Sequence, residues 1–280
     1  MPIPTGNPNV DAATDFQRAR RRRVLARLAA RLRGEPGDVQ LILPFEEVVA
    51  ALGYLGERQL GLRRVRLDSI VGTVDRTRDF DRSFRPTSSR VRRRWERINT
   101  AQRRGEAMPP ISLYKIGELH FVRDGHHRVS VARVQGQETI AAEVVEIITT
   151  VSADSSMTLA DLPMKSHERV FHERVTLPHD ALARIELTDP VKYGKLAEMV
   201  EAWGYRLIQR DERYIDRPQT ALRWFHEEYV PVVAILRDAD LIGRRETETE
   251  AYMRLSGERY RIMTTHEWSD EAIERVRRGR

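Results

Sequence analysis

The sequence contains no cysteine. This absence excludes disulfides, thiolate zinc sites and any reaction with a cysteine nucleophile. The chain also has no apolar run near the about 20 residues that a membrane helix needs, and its polar, proline-containing start lacks the apolar stretch of a signal peptide. Lysine is scarce, occurring at Lys115, Lys165, Lys192 and Lys195. We therefore expect a cytoplasmic protein without a membrane span, whose positive charge is carried by arginine.

The charge is divided unevenly along the chain. Residues 1–150 carry 27 Lys/Arg and 18 Asp/Glu, a net charge of +9, whereas residues 151–280 carry 21 and 24, a net charge of −3. The guanidinium of arginine donates two parallel hydrogen bonds to phosphate oxygens. Anionic partners are therefore expected to bind the N-terminal half.

A first arginine cluster lies near the N-terminus without an intervening acid. Its members are Arg18, Arg20, Arg21, Arg22, Arg23, Arg27, Arg31 and Arg33. The same segment has apolar residues at helical spacing, namely Phe16, Val24, Leu25, Leu28 and Leu32. The pattern predicts a basic amphipathic helix that ends at Gly34 and Pro36.

Several partners fit such a helix. One is DNA or RNA, bound through Arg20, Arg21, Arg22, Arg23 and Arg27. Others are an anionic membrane surface and the acidic half of this chain itself. The alternative is a helix that packs its apolar stripe into the core and leaves its arginines in water.

A second cluster runs from Arg76 to Arg104, with 11 arginines and three acids. We expect a helix over residues 87–104, capped by Thr87, Ser88 or Ser89. The carboxylates of Asp75, Asp79 and Asp81 are of the type that holds Mg²⁺ against phosphates. Pairing of these carboxylates with the adjacent arginines is the favoured alternative.

The pattern richest in chemistry is Phe121-Val122-Arg123-Asp124-Gly125-His126-His127-Arg128. An apolar strand from Leu119 to Val122 precedes an Asp-Gly turn, and a helix follows. Glycine lets the backbone approach a ligand, and the amides at a helix start attract anions. We therefore predict a phosphate site formed by Asp124, Gly125, His126, His127 and Arg128. The alternative is an ordinary strand-turn-helix junction with solvated polar residues.

Histidine and aspartate near this turn are the candidate catalytic residues. His126 and His127 are candidate acids or bases, because an ordinary histidine titrates near neutral pH. Asp79 and Asp81 are candidate partners for them. His120 lies nearby in sequence, but no fourth ligand with metal-site spacing is evident. We assign no metal site.

The order of these segments resembles a known superfamily. The matching segments are Val65–Ile70, Thr87–Arg104, Pro109–Tyr114, Leu119–Val122, the Asp124-Gly125 turn with its helix, and Thr139–Val145. This order is similar to that of the ParB N-terminal domain and sulfiredoxin superfamily over about residues 62–147. The resemblance implies an α+β fold that binds phosphate at the turn.

Three branches of that superfamily bear on function. ParB proteins carry Gly-Glu-Arg-Arg at the turn and bind CTP, and Gly125 and Arg128 match the ends of that motif. Sulfiredoxins carry Gly-Cys-His-Arg, and here His126 stands in place of the reactive cysteine, which excludes their chemistry. ParB-like serine kinases hold a nucleotide and phosphorylate a free amino acid. All three bind phosphate at this turn.

The expected layout has four parts. A basic helical segment (1–61) precedes the ParB-like α+β domain (62–150), a linker with a helix (151–180) and a mainly helical C-terminal domain (181–280). Within the last part the pattern predicts a strand over 183–187, a helix from Val191 that ends at Gly204, and further helices over 215–229, 246–255 and 267–278.

The resemblance therefore implies a ParB-like protein that binds a nucleotide, CTP or ATP/ADP with Mg²⁺, or another phosphorylated small molecule. A nucleic-acid-associated regulator is the expected function. The alternative is a small-molecule phosphotransferase of the free amino-acid kinase type. A homodimer is a further state that we keep open.

Overall fold

The structure is a computed structural model that describes residues 5–34, 37 and 39–263. It divides into two compact units, Met1–Pro163 and Met164–Arg280. Mixed helix and strand content, with a six-stranded mixed sheet, agrees with the expected α+β class. In the described part, no helix is both long and apolar enough to cross a membrane. The helix predicted over 267–278 lies outside the described residues.

The N-terminal unit is built around the sheet. Its elements are α1 (Pro8–Leu32), β1 (Leu43–Pro44), α2 (Phe45–Leu52), β2 (Tyr54–Arg66), β3 (Ile70–Thr73), α3 (Arg92–Arg103), β4 (Ile111–Ile116), β5 (Leu119–Asp124), α4 (His126–Val134) and β6 (Thr139–Thr149). The strand order is β1-β3-β5-β4-β6-β2. β5 pairs in parallel with β3 and antiparallel with β4, so it lies inside the sheet.

Both faces of the sheet are covered by apolar side chains. Successive strand residues point to opposite faces. In β5, Val122 accordingly joins the core that contains Trp95, and Phe121 joins the core that contains Val48 of α2. All four of these side chains are fully buried. This double burial fixes the position of β5 and of the turn that follows it.

Helix α1 packs against the sheet domain mainly through its first half, and Ala30 is the buried residue of its second half. Asn7 caps it by accepting a hydrogen bond from the amide of Asn9, and Pro8 occupies the first turn. Phe16 is buried and meets the ring of Trp95 edge-on, 5.5 Å between centroids. The expected apolar stripe does not pack as a whole, because Val24, Leu25, Leu28 and Leu32 are exposed.

The structure corrects several boundaries. The boundary expected between residues 61 and 62 falls inside β2, so residues 1–61 are not purely helical. The opening strand over 65–70 is interrupted by a 3₁₀ turn at Leu67–Ser69. The helix expected over 87–104 begins as a 3₁₀ turn at Ser89 and becomes α3 at Arg92, and neither start has a side-chain cap hydrogen bond.

The C-terminal unit is helical over its described residues. Its elements are α5 (Leu162–Arg174), α6 (His179–Leu182), α7 (Val191–Asp211), α8 (Arg217–Trp224), a π-helical turn (Phe225–Tyr229), α9 (Val230–Asp238) and α10 (Glu248–Met263). The first two residues of α5 precede the start of this unit at Met164. Trp224 and Tyr229 are fully buried in its core, and the Trp224 indole donates to the Tyr252 hydroxyl at 3.0 Å.

Two expectations for this unit are wrong. Residues 183–187 form no strand, because the backbone amide of Glu186 donates to the Thr249 side chain instead of to a sheet. Helix α7 continues through Gly204 to Asp211. A Cβ on Gly204 would come within 2.3 Å of Thr220 in α8, so this glycine serves close helix packing instead of helix termination.

Phe16→Ala should destabilise the protein by about 3–5 kcal/mol, the usual cost of deleting a buried aromatic ring. Leu25→Ala, in the same helix at a side chain that is 64% exposed, is the matched control and should change stability by less than about 0.5 kcal/mol. Urea unfolding measures both. Equal effects would show that α1 does not pack through Phe16.

Candidate functional site

The predicted turn is a tight junction between β5 and α4. Gly125 has φ 105° and ψ 16°, a left-handed conformation that favours glycine. A Cβ at this position would lie 2.4 Å from Cγ2 of Ile111. The Gly125 carbonyl accepts the Val129 amide at 3.0 Å, which begins the helical hydrogen-bond pattern. The residue is therefore required both by its backbone angle and by the closeness of β4.

A small cavity of about 80 Å³ lies at this junction. It is lined by Asp75, Arg76, Arg94, Ile98, Arg123, Asp124, Gly125, His126, His127 and Arg128. All five residues predicted for phosphate binding are therefore brought together. Pockets that enclose a whole small molecule measure about 300–1,000 Å³, so this turn cavity suits a single anionic group. Its four arginines exceed its two carboxylates.

Arg128 is held by the protein itself. Its guanidinium donates to the carbonyl oxygens of Pro109 at 2.5 Å and Pro110 at 3.1 Å, and to Asp124 Oδ2 at 2.6 Å. Its side chain is only 12% exposed. These bonds fix the segment before β4 against the turn. Arg128 thus positions the site, and its guanidinium has less freedom for a ligand than the sequence suggested.

Arg94 is the arginine with the most freedom in the cavity. Arg76 is shared between Asp75 at 3.7 Å and Asp79 at 3.1 Å, and Arg123 lies over the Tyr114 ring, 5.6 Å from its centroid. Within the described residues Arg94 has no ion pair, and it is exposed on α3. The sequence placed Arg94 in a cluster but could not single it out.

His126 is buried under the turn. Its Nε2 lies 2.7 Å from Thr73 Oγ1 and 3.5 Å from Asp75 Oδ1. The rings of Phe80 and Phe84 stack near it, each with its centroid 6.4 Å away. Burial lowers its pKa to about 4, and the nearby Asp75 only partly opposes that shift. The ring is therefore neutral at pH 7.

His127 is also buried and neutral. Burial first, and then the positive charge of Arg94, lower its pKa to about 4. Its Nδ1 is buried and has no hydrogen-bond partner in the described part of the chain. A histidine titrating near neutral pH, as expected for general acid work, is thus not what the site provides. It provides an unsatisfied polar atom beside an arginine.

The two aspartates named as catalytic candidates, Asp79 and Asp81, lie outside the turn cavity. Asp79 pairs with Arg76. Asp81 is buried and accepts the amides of Ser83 at 3.0 Å and Arg85 at 2.9 Å, as well as Arg85 Nε at 2.9 Å. These two candidates therefore shape the loop before α3. Among the described residues, no group of three or more His, Asp or Glu side chains could hold a metal ion.

The five arginines predicted for nucleic-acid binding also divide. Arg20, Arg21 and Arg22 are exposed on α1. Arg23 and Arg27 instead line a second, larger cavity, and Arg23 donates to the Thr87 carbonyl at 3.3 Å. Arg27 is exposed as well, so the difference is that Arg20, Arg21 and Arg22 lie outside that cavity. That division follows from the side on which α1 packs and has no signature in the sequence.

Comparison of the chain with protein-family models, with curated proteins and with solved structures gave no match.

His127→Gln should flatten the pH dependence of stability in acid. The folded pKa of about 4 lies below the ordinary 6.5, so the unfolded chain binds more protons between these values. Wild-type stability is therefore full above about pH 6.5 and falls as the pH drops towards 4. The variant should lose up to about 1.4 kcal/mol less per pH unit in that window.

Urea unfolding at a series of pH values measures this difference. Above pH 7 the two curves should run parallel, which serves as the internal control. Parallel curves down to pH 4 would show that His127 is not held neutral by burial.

Proposed function

We propose that this protein is a ParB-like phosphate-binding protein, which takes the phosphate of a nucleotide or another phosphorylated small molecule in the turn cavity. The observation that carries the proposal is the composition of that cavity. It joins the start of α4, Arg94 of α3 and the buried Nδ1 of His127, which has no partner in the described part of the chain. The helix start and Arg94 favour an anion, and His127 donates to it from Nδ1 in the tautomer that carries the proton on that atom.

The volume of the cavity limits how much of a ligand it can enclose. About 80 Å³ accommodates one phosphate group against the helix start, and the remainder of the ligand extends over the exposed side chains of Arg94 and Arg123. Because both histidines are neutral at pH 7, the attraction comes from arginine and from the helix amides. Arg128 and Gly125 hold the backbone in place for that contact.

The chain order supports the superfamily resemblance. Strand β4, strand β5, the left-handed Gly125 turn, α4 and β6 follow one another as the resemblance expects. Where a nucleotide brings Mg²⁺, Asp75 and Asp124 are the carboxylates at the cavity that would hold it against phosphate oxygens. Their side chains are 60% and 68% exposed, which leaves their oxygens accessible.

The kinase alternative has one observation in its favour. Asp75 lies beside both the cavity and His126, and it is open to solvent, as a general base for an acceptor hydroxyl must be. Against it, Asp79 and Asp81 are engaged in the loop. We therefore favour a regulator that binds without rapid turnover.

Arg94→Ala should weaken nucleotide binding by about 1.5–3 kcal/mol, the usual range for a charged hydrogen bond. Arg97→Ala, which removes an exposed arginine from the same helix but not from the cavity, is the matched control and should bind almost normally. Calorimetry with CTP, ATP, ADP and GTP in the presence of Mg²⁺ measures both. Arg94 is preferred to Arg128 because truncation of Arg128 also releases the segment before β4.

The same preparation separates regulator from enzyme. Incubation with nucleotide, Mg²⁺ and free serine should give no phosphoserine above background. Robust phosphoserine that disappears in Asp75→Asn would establish the kinase alternative. Unchanged nucleotide affinity in Arg94→Ala would contradict phosphate binding in the cavity.

We also propose that the outward arginines of α1 associate with nucleic acid without sequence preference. The side chains of Arg20, Arg21 and Arg22 are exposed on one helix. Within the described residues, none of them forms an ion pair. Deleting α1 would not test this, because Phe16 belongs to the core. Substitution of the exposed arginines leaves that packing intact.

Replacing Arg20, Arg21 and Arg22 by Gln should reduce the salt dependence of duplex DNA binding. Each neutralised phosphate contributes about 0.9 to the slope of log affinity against log salt, so the slope should fall by up to about 2.7. The charge-matched control replaces the exposed Arg213, Arg244 and Arg245 of the C-terminal unit. Fluorescence anisotropy at several salt concentrations measures the slope. An equal reduction in both triple variants would indicate general attraction and not a surface on α1.

A further inference from the structure

The N-terminal unit has a larger cavity away from the turn. It measures about 580 Å³ and lies between the second half of α1, the segment leading into β1 and the loop after β3. Its lining includes Arg23, Arg27, Arg31, Gln40, Arg78 and Phe80. This volume falls within the range of about 300–1,000 Å³ that encloses whole small molecules. We call it the α1 pocket.

The charge of the α1 pocket is positive and poorly compensated. Among the described residues that line it, four arginines face two acids, Glu47 and Asp81. Asp81 accepts three hydrogen bonds from Ser83 and Arg85 and pairs with Arg85, so part of its negative charge is already compensated outside the lining. Ion pairs of Arg27, Arg31 and Arg78 are absent from the described part of the chain.

Two buried polar atoms of the lining side chains have no partner among the described residues. One is Nε of Arg23, a guanidinium whose pKa is lowered chiefly by burial. The other is Oε1 of Gln40, whose Nε2 donates to the Ala26 carbonyl at 3.0 Å. Buried polar groups usually have hydrogen-bond partners. The open donor of Arg23 belongs to a side chain that lines this cavity, so it favours a ligand that carries an anionic oxygen.

The rest of the lining is apolar. Its members are Ala30, Leu41, Ile42, Pro44, Phe80 and Leu159. The ring of Phe80 is fully buried and separates this pocket from the rings of His126 and His127. An inorganic anion alone would leave this apolar surface uncovered. A ligand with an apolar or aromatic body covers it.

We propose that the α1 pocket is a binding site for an organic anion, with an aromatic or apolar body and at least one phosphate or carboxylate group. The anion lies against Arg27 and Arg78, and the body lies against Leu41, which is 51% exposed, and Leu159. This site is separate from the turn cavity and does not depend on phosphate binding there.

Phenyl phosphate is a suitable probe. Phenol, which lacks the phosphate, and inorganic phosphate, which lacks the aromatic ring, are its two controls. Titrations by calorimetry use the full chain carrying Arg94→Ala, so that phosphate bound at the turn contributes little. In that background Arg27→Ala with Arg78→Ala should weaken phenyl phosphate binding at least about tenfold, or about 1.4 kcal/mol. The control pair Arg22→Ala with Arg97→Ala removes the same charge from exposed positions outside the pocket and should bind within about twofold of the background protein.

Gln40→Glu provides an independent variant, because a carboxylate at that position repels the anion while the side-chain shape is kept. It should also lose phenyl phosphate binding, and phenol should bind more weakly than phenyl phosphate to the background protein. Failure of phenyl phosphate to bind, equal loss in the two arginine pairs, or equal affinity for phenol would overturn the proposal. None of these results bears on nucleotide binding at the turn, which is measured with Arg94 intact.

Discussion

The N-terminal unit depends on the burial of one side chain, Trp95. Its ring is fully buried, its edge meets Phe16 of α1, and its indole donates to Ser130 Oγ of α4 at 2.8 Å. A buried indole N–H left without a partner would cost about 1–3 kcal/mol, so the Ser130 bond fixes the rotation of α3 as well as its distance. Trp95 thereby joins three helices on one face of the sheet.

That rotation decides what the neighbouring arginines can do. With Trp95 pointing inward, Arg94 lines the turn cavity and Arg97 does not. The turn itself is held by Gly125 against Ile111 and by Arg128 against Pro109 and Pro110. Gly125 and Arg128 therefore position the turn, whereas Arg94 supplies the positive charge that attracts an anion. The histidines lie beneath them as neutral, buried rings, so the positive charge of the site comes from its arginines alone at pH 7.

The loop between β3 and α3 contributes to two cavities at once. Asp75 and Arg76 line the turn cavity, whereas Arg78, Phe80 and Asp81 line the α1 pocket. Asp81 folds this loop on itself through the backbone of Ser83 and Arg85. Phe80 forms the wall between the two cavities. A ligand in either cavity therefore contacts the same loop.

The sequence predicted the local features well and the long-range ones poorly. β5, the Gly125 turn and α4 follow from an apolar run, an Asp-Gly pair and helical spacing, all of which are local signals. The pairing of Asp81 with its own loop was also the favoured expectation. The exposure of Leu25 and Leu28, the freedom of Arg94 and the lowered pKa of His127 were not predictable, because each depends on which elements pack together in three dimensions.

The central claim is that phosphate binds at the start of α4. Titration of ¹⁵N-labelled protein with inorganic phosphate and with CTP tests it most directly, followed through the backbone amide signals. We expect the amides of Gly125, His126, His127 and Arg128 to shift most, together with the side chain of Arg94. Saturating shifts confined to other residues, with these amides unmoved, would contradict it.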